Sequence, residues 1–291
     1  MQSDQRPRVQ GFFHADTNTI TYVASCPATR QCAIIDPVLD YSVSDGRTGT
    51  AAADAVAAHV RERQLTVAWI LETHVHADHL SAAAHLRALF GAPLAIGEHV
   101  TRVQKVFGDL FNAGADFARD GSQFDRLLRD SERFALGELE VEVLHTPGHT
   151  PACVSYRIGD ALFVGDTLFM PDYGTARCDF PGGDAHAMYR SIRRLLALPP
   201  ATRMFLCHDY LPPGRRDFVW ETSVEAQRAH NVQIHDGIDE VTYVSARHQR
   251  DATLAAPQLL LPAVQVNMRA GDLPPAEANG VRYLKIPLNR I

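Results

Sequence analysis

The run Thr73-His74-Val75-His76-Ala77-Asp78-His79 constrains this chain more than any other stretch. It places three imidazoles and a carboxylate within six consecutive positions, directly after an apolar run at residues 67–71. That apolar run predicts a buried strand, and loops that leave a rigid strand often carry functional groups. Imidazole and carboxylate are ligands of zinc and iron, and four such groups are costly to order without a partner. The run therefore predicts a metal site.

Composition excludes several classes of protein. The 291 residues are 46% hydrophobic and 21% charged, which is ordinary for a globular chain with a large core. A net charge of −6 argues against nucleic-acid binding, so an anionic substrate needs locally placed arginines. No apolar stretch reaches the length of a membrane span, and the N-terminus does not resemble a secretory signal. The five scattered cysteines form no disulfide or zinc pattern, so we expect a cytoplasmic protein.

Strand and helix patterns alternate along the chain and predict an α/β fold. The predicted strands are 20–24, 32–35, 67–71, 139–144, 204–207 and the hairpin 154–158 and 161–164. The predicted helices are 51–63, 80–90, 185–198, 221–234 and 236–245. Residues 107–133 predict a long surface insertion with one helical turn, and a C-terminal extension without a new motif begins at about residue 256. Because no repeat or linker divides the chain, residues 1–291 predict a single domain.

Three further loops after predicted strands carry residues that can bind metals. They contain His149 in a Pro-Gly-His-Thr turn, Asp166 in Gly-Asp-Thr, and His208 in Cys-His-Asp-Tyr. His145 is ambiguous, since it also closes a strand. An isolated histidine in a loop is usually solvated or a cap. We therefore expect no ligand role for the remaining histidines: His14, His59, His85, His99, His186, His230, His235 and His248.

The order and spacing of these four motifs resemble the metallo-β-lactamase superfamily. The resemblance covers positions 74 to 208. It implies an αβ/βα sandwich, in which two mixed β-sheets are flanked by helices and the site lies at one edge between the sheets.

Within that superfamily, further motifs resemble the persulfide dioxygenases. They are the run at 73–79 with Ala before the Asp, the turn at 147–151, residues 174–180 and residues 208–210. The tail at 262–267 and 287–289 is similar to bacterial stand-alone β-lactamase-like proteins related to these dioxygenases.

This resemblance implies one Fe(II) per chain, held by His74, His149 and Asp166. Two histidines and a carboxylate leave coordination positions open, which suits oxygen chemistry. The implied reaction, a step in sulfide detoxification, oxidises glutathione persulfide with O₂ and water to sulfite and glutathione. The remaining ligand-type residues would then orient the ligands and hold water: His76, Asp78, His79 and His208.

Arg177 and Tyr210 are the candidate substrate-binding and catalytic residues. A guanidinium grips a carboxylate bidentately, and the phenol would hydrogen-bond near the sulfur. The alternative for Arg177 is an ion pair with Asp179 or Asp172, and the alternative for Tyr210 is a packed loop aromatic.

Two other functions stay open. A dinuclear zinc hydrolase of glutathione thioesters, as in glyoxalase II, would use two Zn(II) and all seven ligand-type residues, although the C-terminal part lacks an obvious long helical substrate domain. A non-enzymatic sulfide or metal sensor would need a signalling element, and none is evident. A homodimer is expected from the commonness of two-fold symmetry among soluble proteins.

Overall fold

The structure is a computed structural model and describes residues 6–290. Its strands are β1 Arg8–His14, β2 Thr19–Ser25, β3 Gln31–Ile35, β4 Val38–Ser42, β5 Arg47–Gly49, β6 Thr66–Leu71, β7 Leu80–Ser81, β8 Leu94–Gly97, β9 Arg126–Leu128, β10 Arg133–Leu136, β11 Leu139–His145, β12 Val154–Ile158, β13 Ala161–Phe163, β14 Arg203–Phe205 and β15 Glu221–Ser223. Its helices are α1 Ala51–Glu62, α2 Ala83–Phe90, α3 Val100–Leu110, α4 Ala185–Leu196, α5 Val224–His230, α6 Glu240–Asp251 and α7 Leu260–Asn267.

Two mixed six-stranded sheets form the centre of the fold. The first has the order β1-β2-β3-β6-β8-β9, with antiparallel pairing up to β3 and parallel pairing beyond it. The second has the order β10-β11-β12-β13-β14-β15, and only its β13–β14 pair is parallel. A small sheet of β5, β4 and β7 lies beside them.

The alternation of side chains along the strands separates the cores of the fold. In β3, Cys32 and Ile34 face the core beneath α1, α2 and α3, whereas Ala33 and Ile35 face the second sheet. Successive side chains of a strand point to opposite faces, so a strand that is buried on both sides needs a continuous apolar run. A third core lies between the second sheet and α4, α5 and α6. The layers are helix, sheet, sheet and helix, which confirms the predicted αβ/βα sandwich.

Residues 107–133 are only in part the surface segment that the sequence predicted, since exposed residues alternate with buried ones. Phe107, Phe111, Phe117 and Phe124 are all buried in the core beneath the first sheet. Helix α3 ends within this segment, and β9 extends the first sheet. The polar residues between the phenylalanines weaken the periodicity of the sequence and hide the buried positions.

Two predicted helices begin as strands instead. Leu80 and Ser81 pair with β4 before α2 begins, and β15 pairs with β14 before α5 begins. The predicted helix 236–245 lies later, at α6, because Asp239 accepts a hydrogen bond from the Thr242 amide and caps it there. Among residues 6–290, every helix is too short or too polar to span a lipid bilayer.

Candidate metal centre

The ligand-bearing loops meet at one edge of the sandwich. His74–His79 follow β6, His149 lies between β11 and β12, Asp166 follows β13, and His208 follows β14. Gly165 permits the close approach of two of these loops, since its φ is +52° and an added Cβ would lie 2.6 Å from Thr73 Oγ1. The strand ends therefore bring every predicted ligand to the same place.

Three of these residues form a first ligand group. One ligand atom from each of His74, His149 and Asp166 lies within 4.8 Å of the others. Asp166 Oδ2 is 3.9 Å from His74 Nε2 and 3.7 Å from His149 Nε2. All three side chains are buried, so the arrangement offers a cation two nitrogens and one carboxylate oxygen.

A second ligand group lies beside the first and consists of His76, Asp78, His79 and His208. His208 Nε2 lies 3.1 Å from Asp78 Oδ2 and 3.2 Å from Asp166 Oδ1. Asp166 thus directs one oxygen toward each group. This arrangement would allow its carboxylate to bridge two cations.

The donor atoms fit a divalent cation. Although His208 Nε2 lies within ion-pair distance of Asp78 Oδ2 and Asp166 Oδ1, one buried side-chain atom of each of six ligand-type residues in the described part of the chain has no hydrogen-bond partner of good geometry. These atoms are His74 Nε2, His76 Nδ1, Asp78 Oδ2, His79 Nε2, Asp166 Oδ1 and His208 Nε2. Buried polar atoms without partners are rare and destabilising, and coordination to metal would satisfy all six.

Electrostatics favour neutral imidazoles at His74 and His79 and protonated imidazoles at His76 and His208. At His76, burial lowers the pKa, but Asp36 and Glu72 outweigh burial and raise that pKa well above its usual value. Burial lowers the pKa of His74 well below its usual value, and it lowers the pKa of His79 to about 4. Burial also lowers the pKa of His208, but Asp78 and Asp166 outweigh it and raise that pKa to about 9. A bound cation must therefore displace a proton from His208 near neutral pH.

Asp36 organises the histidine loop, and its role was missed in the sequence. Its carboxylate accepts hydrogen bonds from the Thr73 amide at 2.7 Å and from Thr73 Oγ1 at 2.8 Å, and it pairs with His76 Nε2 at 3.0 Å. The residue adopts φ +50°, which is uncommon outside glycine. Its position directly after a buried strand was the available signal, because the ligand-bearing loops share that location.

Glu72 is the second buried carboxylate behind the site. It lies 3.2 Å from His76 Nε2 and accepts a short hydrogen bond from Ser81 Oγ. Burial raises its pKa to about 7, although His76 opposes the rise. Since Asp36 and Glu72 both engage Nε2, the partnerless Nδ1 of His76 is the atom left for a cation.

The first ligand group is also anchored from the helical side. His149 Nδ1 lies 2.8 Å from the Arg177 carbonyl, which leaves Nε2 for the cation. Helix α6 holds the segment that contains Arg177 through two hydrogen bonds of 3.0 Å. Asp251 accepts one from the Cys178 amide, and Arg247 donates the other to the Thr175 carbonyl. Helix α6 thus supports the carbonyl that orients His149.

Arg177 and Tyr210 both line the cavity above the ligands. The Arg177 guanidinium is engaged bidentately by Asp179 at 2.6 and 2.7 Å, which is the ion pair foreseen as its alternative role. Tyr210 stacks on His208 with ring centroids 5.6 Å apart. Burial, with Asp78 and Asp166, raises the pKa of Tyr210 well above its usual value, so its hydroxyl keeps a proton to donate.

The cavity opens into a larger groove. The cavity above the ligands has a volume of about 130 Å³, and the adjoining groove has about 670 Å³. The groove alone lies within the size range of small-molecule sites. Arg250 of α6, which the sequence did not single out, lines the cavity with its guanidinium 5.8 Å from the Tyr173 ring centroid. Within residues 6–290 it forms no ion pair, so its charge is available to a ligand.

Comparison with known proteins places the chain in a family. Residues 19–208 match the model of the metallo-β-lactamase superfamily. The chain belongs to this superfamily. A probable metallo-hydrolase of Burkholderia pseudomallei is 57% identical over 97% of this chain and 99% of its own length. Glyoxylase B2 of Dictyostelium discoideum is 49% identical over 98% of each chain.

The superfamily relatives also include proteins with the name ETHE1. The human mitochondrial persulfide dioxygenase ETHE1 is 29% identical over 87% of this chain and 84% of its own length. The crystal structure of ETHE1 from Myxococcus xanthus covers 91% of this chain and 100% of that chain, with a TM-score of 0.72 and 30% identity. Proteins with hydrolase and dioxygenase names are therefore both among the relatives of this chain.

Proposed function

We propose that this protein is a mononuclear iron persulfide dioxygenase that oxidises glutathione persulfide to sulfite and glutathione. The observation that carries the proposal is the composition of the first ligand group, two histidines and one carboxylate, without His76. This donor set suits Fe(II) and leaves coordination positions free. The similarity to ETHE1 proteins supports it.

The side chains of the first group would hold Fe(II) and prepare the site. His74 is neutral, and His149 is fixed through its Nδ1 by the Arg177 carbonyl. Asp166 supplies the negative charge. When bound, iron would supply a centre at which a sulfur ligand and O₂ exchange electrons. His149 and Asp166 line the cavity, so the open side of the site faces the substrate.

The cavity and the adjoining groove provide groups for the rest of glutathione persulfide. Glutathione carries two carboxylates, and Arg250 offers a cation that no residue of the described chain neutralises. Tyr210 can donate its phenolic hydrogen toward the sulfur. The Arg177 guanidinium can bind a substrate carboxylate only if that carboxylate replaces Asp179. We therefore assign Arg177 two roles, the proposed contact with substrate and the positioning of His149 through its main-chain carbonyl.

Oxygen consumption tests this proposal. Iron-loaded protein should consume O₂ when glutathione persulfide is added and should release sulfite in equal amount. His149→Ala should remove both the bound iron and the oxygen uptake, whereas Lys105→Ala, on the exposed side of α3, should keep both. Absence of oxygen uptake by the iron-loaded wild type would refute the dioxygenase.

A second candidate is a dinuclear zinc hydrolase of glutathione thioesters. It is favoured by the second ligand group and by the two oxygens of Asp166, which face both groups. The similarity to Glyoxylase B2 agrees with it. Two zinc ions per chain together with thioester turnover, and no oxygen uptake by the iron form, would establish this function instead.

A further inference from the structure

A continuous hydrogen-bond chain connects the second ligand group with the wall of the groove. Thr19 Oγ1 lies 3.4 Å from His79 Nδ1 and 3.3 Å from His208 Nδ1, at the long end for hydrogen bonds. It lies 2.8 Å from Thr17 Oγ1, which in turn is 2.8 Å from His14 Nδ1. His14 Nε2 then meets Asp40 Oδ1 at 3.2 Å.

One assignment of donors and acceptors satisfies every link of this hydrogen-bond chain when both ligand histidines bind through Nε2, although Thr19 Oγ1 also reaches the Thr17 carbonyl at 3.4 Å. Their Nδ1 atoms then carry hydrogens and donate to Thr19, whose own hydrogen goes to Thr17. Thr17 donates to His14 Nδ1, and His14 donates from Nε2 to Asp40. His208 Nδ1 also reaches the Asn18 carbonyl at 3.2 Å, and His79 Nδ1 lies 3.5 Å from Asp78.

The direction of these hydrogen bonds matters because the residues that form them are largely buried. Thr19 is fully buried, and the side chain of His14 is 13% exposed. Asp40 is itself held in place, since its second oxygen accepts from the Ala52 amide at 3.1 Å. A fixed carboxylate at one end and partnerless Nε2 atoms at the other are the arrangement expected around metal-binding imidazoles, whose second nitrogen is normally oriented by a hydrogen bond.

We infer that Thr19, Thr17, His14 and Asp40 act as positioning residues that hold His79 and His208 to bind a second divalent cation. Thr19 is the branch point, because a single hydroxyl accepts from both imidazoles. The inference concerns the second ligand group only. A mononuclear dioxygenase at the first group does not require it, so either idea can fail while the other holds.

Cobalt titration of the metal-free protein, followed by visible absorption, tests the inference. The wild type should bind two Co²⁺, and His79→Ala identifies the absorption change that belongs to the second group. Thr19→Val, which preserves the shape of the side chain, should weaken the second binding step by roughly 10–100-fold and leave the first unchanged. Thr19→Ser should restore the second step to within a few-fold of the wild type.

Matched variants exclude a general effect on folding. Thr48→Val makes the same change on the exposed strand β5 and should leave both steps unchanged. Thr17→Val should weaken the second step in the same direction as Thr19→Val, since it removes the next hydroxyl. Uptake of only one Co²⁺ by the wild type, or an unaltered second step in Thr19→Val, would overturn the inference without bearing on oxygen uptake by the iron form.

Discussion

The carboxamide of Asn267 donates a 2.7 Å hydrogen bond to the main-chain carbonyl of His79. Its other hydrogen reaches the His76 carbonyl at 2.9 Å, and its oxygen accepts from the Ser81 amide at 2.7 Å. Asn267 is the last residue of α7 and is buried. The C-terminal segment therefore completes the histidine loop from outside the region that carries the ligands.

Asn267→Ala should destabilise the protein by about 2–4 kcal/mol, because several buried main-chain groups lose their partners together. The midpoint of urea unfolding of the metal-free protein measures the change. Asn279→Ala removes two exposed hydrogen bonds, one donated to Tyr283 and one accepted from the Val281 amide, and should alter stability by less than about 0.5 kcal/mol. Equal effects of the two substitutions would contradict the role assigned to Asn267.

Much of the fold could be predicted because its signals are local. The apolar run of β6 and the alternation of β11 are visible in a few consecutive residues, and the ligand types stand together at strand ends. Residues whose role depends on distant contacts were not predictable in this way. Asn267 contacts the histidine loop across more than 180 positions of sequence, and no adjacent residue in the sequence indicates that contact.

The supporting residues of the site illustrate the same limit. Asp36 directly follows the predicted strand 32–35 and Thr19 directly precedes the predicted strand 20–24. Neither was singled out, because their partners are brought to them only by the pairing of the sheets. His14 was expected to be solvated but is a half-buried link to Asp40. The ligand residues could be predicted from motifs, whereas the contacts that orient them required the tertiary structure.

Gly165→Ala should be more harmful than Gly46→Ala, although both glycines have positive φ. At Gly46 an added Cβ meets nothing within 4 Å, so only the left-handed backbone disfavours it, by about 1–2 kcal/mol. At Gly165 the Cβ would lie 2.6 Å from Thr73 Oγ1, which Asp36 holds in place, and this adds roughly 1–3 kcal/mol. Thermal unfolding of both variants measures the difference. Equal losses would show that the loops adjust freely.

The stabilisation that a bound metal provides should grow between pH 6.5 and 9. The folded-state pKa of His208 is raised to about 9, so its contribution to the metal-free protein is complete below pH 6.5 and is lost as pH rises toward 9. Glu72, with its pKa raised to about 7, loses its contribution between about pH 4.5 and 7. A metal ion replaces the proton of His208. The free energy by which metal stabilises the protein should therefore grow by at most about 1.4 kcal/mol for each unit of pH.

Melting temperatures of zinc-loaded and metal-free protein at pH 6.5, 7.5 and 9 measure this difference. It should widen with pH in the wild type and widen less in His208→Ala, in which the proton of His76 remains to be displaced. A constant difference in the wild type would mean that His208 holds no proton in the metal-free protein.

Arg250→Ala should raise KM for glutathione persulfide by roughly tenfold or more, with a smaller effect on kcat. A charge-assisted hydrogen bond to a carboxylate contributes about 1.5–3 kcal/mol, and the contact lies away from the reacting sulfur. Initial rates over a range of substrate concentration measure both parameters. Arg102→Ala, which removes an exposed cation from α3, is the control. An unchanged KM for Arg250→Ala would place the substrate carboxylates away from Arg250, elsewhere in the cavity or in the groove.

His74→Ala and His79→Ala together distinguish one metal from two. His74 belongs to the first ligand group, so its loss should abolish metal-dependent turnover under either proposed function. His79 belongs to the second group, so its loss should leave a mononuclear dioxygenase with its iron bound and most of its oxygen uptake. A dinuclear hydrolase should instead lose at least about tenfold in activity together with one of its two metal ions. Metal analysis of each variant alongside its rate is required, because a fall in activity at full iron content would assign His79 a role in the reaction rather than in metal binding.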